Sequence, residues 1–230
     1  MRRALLALLA GGALTLSFPG SGIWLLAPVG VGALALATRG TSIRTGACLG
    51  FLAGLAYFLP TLSWTGIYVG ALPWVALAIL QALYVAVVGA VSSALQQGVS
   101  VAGADRVRPL VVALAWVGSE ALRARTPYGG FPWARIAFTQ ADSPLNHIAA
   151  LAGAPGVTFA VALAGGVLAS ALAPRAALAA PARQRVLARP RWRRVAAAVL
   201  LVVSALAVPL HTEGRPANVM AVQGNVPHPG

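Results

Sequence analysis

Residues 72–96 read LPWVALAILQALYVAVVGAVSSALQ, twenty-five positions without one charged side chain. A helix crosses a hydrocarbon core about 30 Å thick with ~20 apolar residues, so this stretch is long enough to span a bilayer with residues to spare. Pro73 stands near its start, where a missing N–H costs little. Gln81 and Tyr84 lie inside it. Polar groups at that depth are costly when exposed to lipid, which predicts that both face protein.

Six further apolar runs flank this one, punctuated by Arg, Pro and Gly: residues 4–18, 23–38, 45–62, 109–122, 148–173 and 195–210. The predicted fold class is all-α and integral to the membrane, a polytopic bundle of about seven transmembrane helices. The first two runs are short and read either as tilted spans or as a re-entrant pair; both choices return Arg39 to the side of Met1. Gly46, Gly50 and Gly54 recur at a spacing of four, which puts them on one helical face and lets a neighbouring backbone approach closely.

Composition agrees. Hydrophobic residues make up 59% of the chain and charged residues 9%, and the mean hydropathy is +0.80. A soluble domain of 230 residues cannot hide that much apolar surface. The net charge of +13 raises a nucleic-acid reading, which the placement of the charges decides against. All 17 basic residues are arginine, and the seven-run map puts thirteen of them at one face and four, Arg123, Arg125, Arg135 and Arg215, at the other. Loops retained in the cytoplasm carry such an excess, so the N-terminus is expected inside and the chain after Leu210 outside. No folded basic module with stacking aromatics accompanies the arginines, and nucleic acid is excluded as a partner. Met-Arg-Arg before an apolar run also suggests a secretory signal. No small-residue cleavage site follows it and further spans do, which reads as a retained first helix. Residues 174–194 form an Arg/Ala/Pro connector on the cytoplasmic side.

Trp116, Glu120 and Arg123 fall at i, i+4 and i+7 near the outer end of the run at 109–122, hence on one face. The plain reading is an interfacial ion pair between Glu120 and Arg123 or Arg125 that anchors the helix; the other is a role in orienting substrate or the following loop. That loop holds Tyr128-Gly129-Gly130-Phe131-Pro132-Trp133, then Gln140-Ala141-Asp142-Ser143-Pro144. Aromatics settle at headgroup level, so an interfacial belt is one reading. Aromatics packed among glycines and prolines that fix backbone shape point instead to a shaped lip beside a lipid-accessible cleft. Residues 218–222, Asn-Val-Met-Ala-Val, break at Gln223-Gly224-Asn225 and read as a buried strand ending in a polar turn, the entry to an α/β domain.

Reactive side chains are scarce. The one thiol, Cys48, lies inside an apolar run and is read as structural. His147 reads as a loop or cap residue, while His211 and His228 have no Ser, Cys or carboxylate constellation around them. No metal or cofactor is expected.

Together these elements resemble apolipoprotein N-acyltransferase. The resemblance is carried by Phe18-Pro19, the Trp116…Glu120…Arg123 face, Gly130-Phe131-Pro132-Trp133, Gln140-Ala141-Asp142-Ser143-Pro144, Gly153 with Gly156-Val157, and Val222-Gln223-Gly224-Asn225. One departure is Ala137-Phe138-Thr139-Gln140, where the family more often has a Gly-Tyr-Ser-Gln type segment. The resemblance implies a transmembrane domain at 1–212 and the first strand of an extracytoplasmic nitrilase-like domain at 213–230, in a chain that stops short of the rest. It implies transfer of an acyl chain from a phospholipid donor to the N-terminal diacylglyceryl-cysteine of lipoproteins. It also implies substrate contacts at Glu120, Arg123, Phe131, Pro132, Trp133, Gln140, Gln223 and Asn225. The family's Glu-Lys-Cys catalytic set has no counterpart here, since the chain has no lysine. The chain alone is therefore expected to be inactive as an acyltransferase. A catalytically empty scaffold that binds lipid or a partner enzyme is the alternative. A small transporter fits poorly, because inverted repeats and mid-membrane charges are not evident.

Overall fold

The computed structural model describes residues 1–97, 107–173, 191–210 and residue 220. Eight helices are present among them: α1 (Arg2–Leu16), α2 (Leu26–Thr38), α3 (Ile43–Thr61), α4 (Thr65–Val69), α5 (Ala71–Gln97), α6 (Pro109–Arg123), α7 (Ala149–Leu172) and α8 (Arg191–Ser204). Short 3-10 turns cover Ile136–Gln140, Pro144–Ile148 and Ala205–Ala207, and no strand occurs among the described residues. Each of the seven apolar runs is helical over most of its length, the last as Arg191–Ser204 where 195–210 is expected. Residues 174–190 of the connector read at 174–194, with His211, His228, Gln223 and Asn225, lie outside the described residues, as does the expected strand at 218–222 except Met220; residues 191–194 instead open α8.

Three helical segments are long and apolar enough to cross a membrane: Ile43–Thr61, Ala71–Gln96 and Pro144–Leu172. Leu26–Thr38 is a shorter apolar helix. At 1.5 Å per residue, the 15 residues of α1 and of α6 each reach about 22 Å, less than a hydrocarbon core.

Two details depart from the expected map. The run at 148–173 is not one continuous helix: Gly153 has φ 59 and ψ −163, and Pro155 follows it. Glycine adopts that left-handed backbone without a Cβ clash, and the proline ring prevents the helix from closing its hydrogen bonds across the break. The short α4, seated between two long apolar helices, has no hydrophobic period of its own to announce it.

Small residues set the packing. α5 runs antiparallel to α3, and a Cβ on Gly54 would sit 2.7 Å from the Cα of Ala82. A Cβ on Gly50 or Gly46 would likewise run into the backbone of Val85 or Gly89. The expected glycine face is thus the α3–α5 seam, where backbones meet and dispersion replaces the hydrophobic drive that lipid cannot supply. α2 meets α7 in the same way at Gly32 and Gly165. Hydrogen bonds fix the directions elsewhere: Tyr84 with Thr126 sets α5 against α6, and Arg194 with the Ser170 carbonyl sets α7 against α8. Consequently Arg2, Arg3, Arg39, Arg44, Arg108 and Arg194 share one end of the bundle, and the loop at 124–148 closes the other.

Candidate functional site

The loop end is organised around two buried ionisable side chains of α6. Trp116, Glu120 and Arg123 all face inward, with Glu120 7% and Arg123 3% exposed. The expected ion pair is not how they are satisfied: no Arg nitrogen comes within 4.0 Å of the Glu120 carboxylate among the described residues. Instead Glu120 Oε1 accepts the backbone N–H of Ile136 at 2.8 Å, and Oε2 accepts the hydroxyl of Thr158 on α7, also at 2.8 Å. For a buried carboxylate, a fixed N–H and a fixed O–H supply the hydrogen bonds that lost water would have made.

Arg123 works on the same loop. Its Nη1 donates to the Gln81 side-chain oxygen at 3.1 Å and to the carbonyls of Phe131 and Trp133, while Nη2 donates to the Ala134 carbonyl at 3.1 Å. The guanidinium also lies over the Phe58 ring, 5.2 Å from its centroid. A planar fork with several donors can serve a bent backbone in this way, and a point charge cannot. Gln81 and Tyr84 accordingly face protein: Gln81 is buried, and the Tyr84 hydroxyl donates to the Thr126 carbonyl at 2.6 Å.

The loop these groups hold is bent tightly. Tyr128, Gly129, Gly130 and Ala134 have φ of 50, 91, 80 and 53. A Cβ on Gly130 would overlap the backbone of Ala124. Ala134 is not a glycine, and left-handed backbone costs an alanine ~1 kcal/mol. Two donors converge on its carbonyl, Arg123 Nη2 and the Tyr57 hydroxyl at 2.8 Å, and offset that cost.

With its backbone held, the loop turns Pro132 and Trp133 outward, Trp133 being 57% exposed. Phe131 is half-buried and Tyr128 fully exposed. Trp133 leans against Trp64 at the start of α4, with ring centroids 5.6 Å apart. This pair lines a cleft of about 450 Å³ together with Thr15, Phe18, Pro19, Pro60, Leu62, Ala134 and Phe138.

Gln140 stands apart from the lip. It is fully buried, donates to the Trp24 carbonyl at 3.3 Å and to Thr139 at 2.6 Å, and accepts from Ser143 at 2.8 Å. Its amide is engaged on protein, so its place in the structure is a brace between the loop and the start of α2. His147, read as a loop or cap residue, lies in the last turn of the 3-10 segment Pro144–Ile148 and meets the Val208 carbonyl at 3.0 Å. Cys48 is exposed on the outer surface of α3, far along that helix from the site. No cluster of metal-ligating side chains occurs among the described residues.

Sequence reasoning does not single out Trp64, Tyr57 or Thr158. Each sits inside or beside an apolar run at a position where helical period predicts only burial, and nothing local reveals a partner more than thirty residues away.

Fold and site define an α-helical domain of membrane character whose two buried charged side chains, Glu120 and Arg123, lie at one end beside a shaped loop. Residues 10–167 match the family described as "Apolipoprotein N-acyltransferase N-terminal domain", and the chain belongs to that family. Among its curated relatives, the apolipoprotein N-acyltransferase of Photobacterium profundum is 30% identical over 98% of this chain and 43% of its own length. That of Geobacter metallireducens is 39% identical over 73% of this chain and 33% of its own length. That of Mycolicibacterium smegmatis is 36% identical over 97% of this chain and 39% of its own length. The chain thus spans less than half the length of these relatives.

Proposed function

We propose that this chain is the membrane part of an apolipoprotein N-acyltransferase and that its loop end holds an acyl chain of a lipid substrate beside the reacting centre. In this reading the seven long helices all enter the bilayer of the bacterial cytoplasmic membrane, with the arginine end in the cytoplasm and the loop end outside. Residues 1–212 are the transmembrane domain, and 213–230 lead into an extracytoplasmic nitrilase-like domain. The donor is a phospholipid, and the acceptor is the diacylglyceryl-cysteine of a lipoprotein. Both are lipids, so a cleft open toward the bilayer can admit either sideways. Covalent chemistry is assigned to no residue of this chain.

The observation that carries the reading is the grip of Glu120 and Arg123 on the backbone at 131–136, which stands Trp133 at the rim of the cleft. A mere interfacial anchor needs no such grip, because a tryptophan finds the headgroup level by itself. Preorganised walls lower the entropy lost when a flexible chain is bound. Glu120 and Arg123 therefore serve substrate through the loop, Phe131, Pro132 and Trp133 form the lip, and Gln140 braces it.

The test uses the chain in bilayers doped with a single-chain lysophospholipid carrying bromine on its acyl chain. Quenching assigned to Trp133, by difference from Trp133→Phe, is expected to saturate as the brominated lipid is increased. A linear rise with mole fraction, as for any tryptophan touching the bilayer, would overturn the reading.

A further inference from the structure

Tyr57 joins the two walls of the cleft without being part of either. Its ring is 1% exposed and lies 5.7 Å from Phe18 and 4.3 Å from Phe58, centroid to centroid. Its backbone carbonyl accepts from Thr15 at 3.1 Å, and α1 can come this near because the facing residue is Gly11, where a Cβ would sit 3.0 Å from the Tyr57 nitrogen. Thr15 and Phe18 form one wall of the cleft. Ala134 lines the same cleft, and the Tyr57 hydroxyl reaches its carbonyl across 77 residues of sequence with a 2.8 Å hydrogen bond.

We infer that Tyr57 is a positioning residue that sets the gap between the Phe18 wall and the Ala134 wall, and so the fit of the acyl chain held between them. The inference rests on the proposed lipid-holding role of the cleft. Its physical basis is that one side chain spans both walls. The ring packs under Phe18, while the hydroxyl helps hold Ala134 in the left-handed backbone that an alanine avoids. Arg123 also bonds that carbonyl, but it comes from α6, and its other hydrogen-bond partners, Gln81 and two loop carbonyls, do not belong to the Phe18 wall. Removing the hydroxyl frees one wall relative to the other and leaves the aromatic stack in place.

Tyr57→Phe makes that change and no other. With one net hydrogen bond lost, the brominated lysophospholipid needed to half-saturate Trp133 quenching is expected to rise about fivefold. Adding Ala134→Gly should recover at least half of the loss, because glycine adopts the same backbone without needing the bond. A Tyr57→Phe curve identical to the parent overturns the inference, as does a loss that Ala134→Gly leaves untouched, since that would mark Tyr57 as packing only. Should Tyr57→Phe fail to fold, replacing Tyr57 with p-aminophenylalanine, which keeps a donor at the ring tip, decides: parent-like half-saturation supports the inference and a weakened one refutes it. If the parent chain itself never saturates, the fault lies with the proposed function.

Discussion

Glu120 accepts the backbone N–H of Ile136 at 2.8 Å, so an acidic side chain of α6 fixes a residue sixteen positions further along the chain. Its second oxygen takes the Thr158 hydroxyl, so the same carboxylate ties α6, the loop and α7 together. Arg123, one turn on, grips the preceding part of the loop from the other side. The pair acts on a shared stretch of backbone.

Glu120→Ala is expected to destabilise the domain by ~3 kcal/mol, because it leaves the Ile136 N–H and the Thr158 hydroxyl buried without an acceptor. Glu120→Gln keeps one acceptor and should cost roughly half as much. Thermal unfolding in a mild detergent reads both. Equal, negligible effects would mean that water satisfies these groups.

Arg123→Lys keeps the charge and loses the fork. A lysine cannot serve Gln81 and the loop carbonyls together, so about 2 kcal/mol of the loop's local stability should go. Amide exchange at Phe131 and Ile136 is expected to quicken, with the helices of the α3–α5 seam unaffected. Uniform quickening across the bundle would assign Arg123 to global stability.

The α3–α5 seam gives a contrast between two kinds of glycine. Gly50→Leu puts a side chain into the Val85 backbone and should abolish recovery of folded, monodisperse protein. Gly12 on α1 has nothing within 4 Å of the place a methyl group would take, and Gly12→Ala should raise stability by up to ~1 kcal/mol through helix propensity. Size-exclusion recovery and melting temperature separate the outcomes.

Cys48 faces outward from α3, so Cys48→Ala should shift stability by no more than ~0.5 kcal/mol. In that background, single thiols at Arg2→Cys and Tyr128→Cys, at opposite ends of the bundle, should react with an impermeant maleimide from opposite sides of the membrane. Labelling of both from one side would refute the proposed orientation.

Most of the architecture is legible along the chain. Each long helix occupies an apolar run bounded by Arg, Pro or Gly, since the cost of taking backbone and charge out of water is set locally. The Gly46, Gly50 and Gly54 face can be read because helical period alone aligns residues four apart. The break at Gly153 is harder to see, because glycine and proline are both tolerated in apolar helices and only the backbone angles distinguish a kink from a stop.

At the site the division is sharper. Period places Glu120 and Arg123 on one face with Trp116, and the crowding of aromatics with Gly and Pro marks the loop at 128–133 as shaped. It cannot assign partners. An i, i+3 spacing offers an ion pair, and the structure takes hydrogen bonds to Ile136, Thr158, Gln81 and three loop carbonyls instead.

The sequence by itself determined the helical class, the approximate place of the long helices, the arginine-rich end and the loop that matters, because burial and charge placement are properties of short stretches. Tertiary structure alone decided that Glu120 and Arg123 hold that loop, that Trp64 meets Trp133, that Gln140 is a brace and that Tyr57 links Phe18 to Ala134. The reason is that a buried polar group is satisfied by whichever donor or acceptor the packing brings within about 3 Å, and that distance is set by the crossing of helices far apart in the chain.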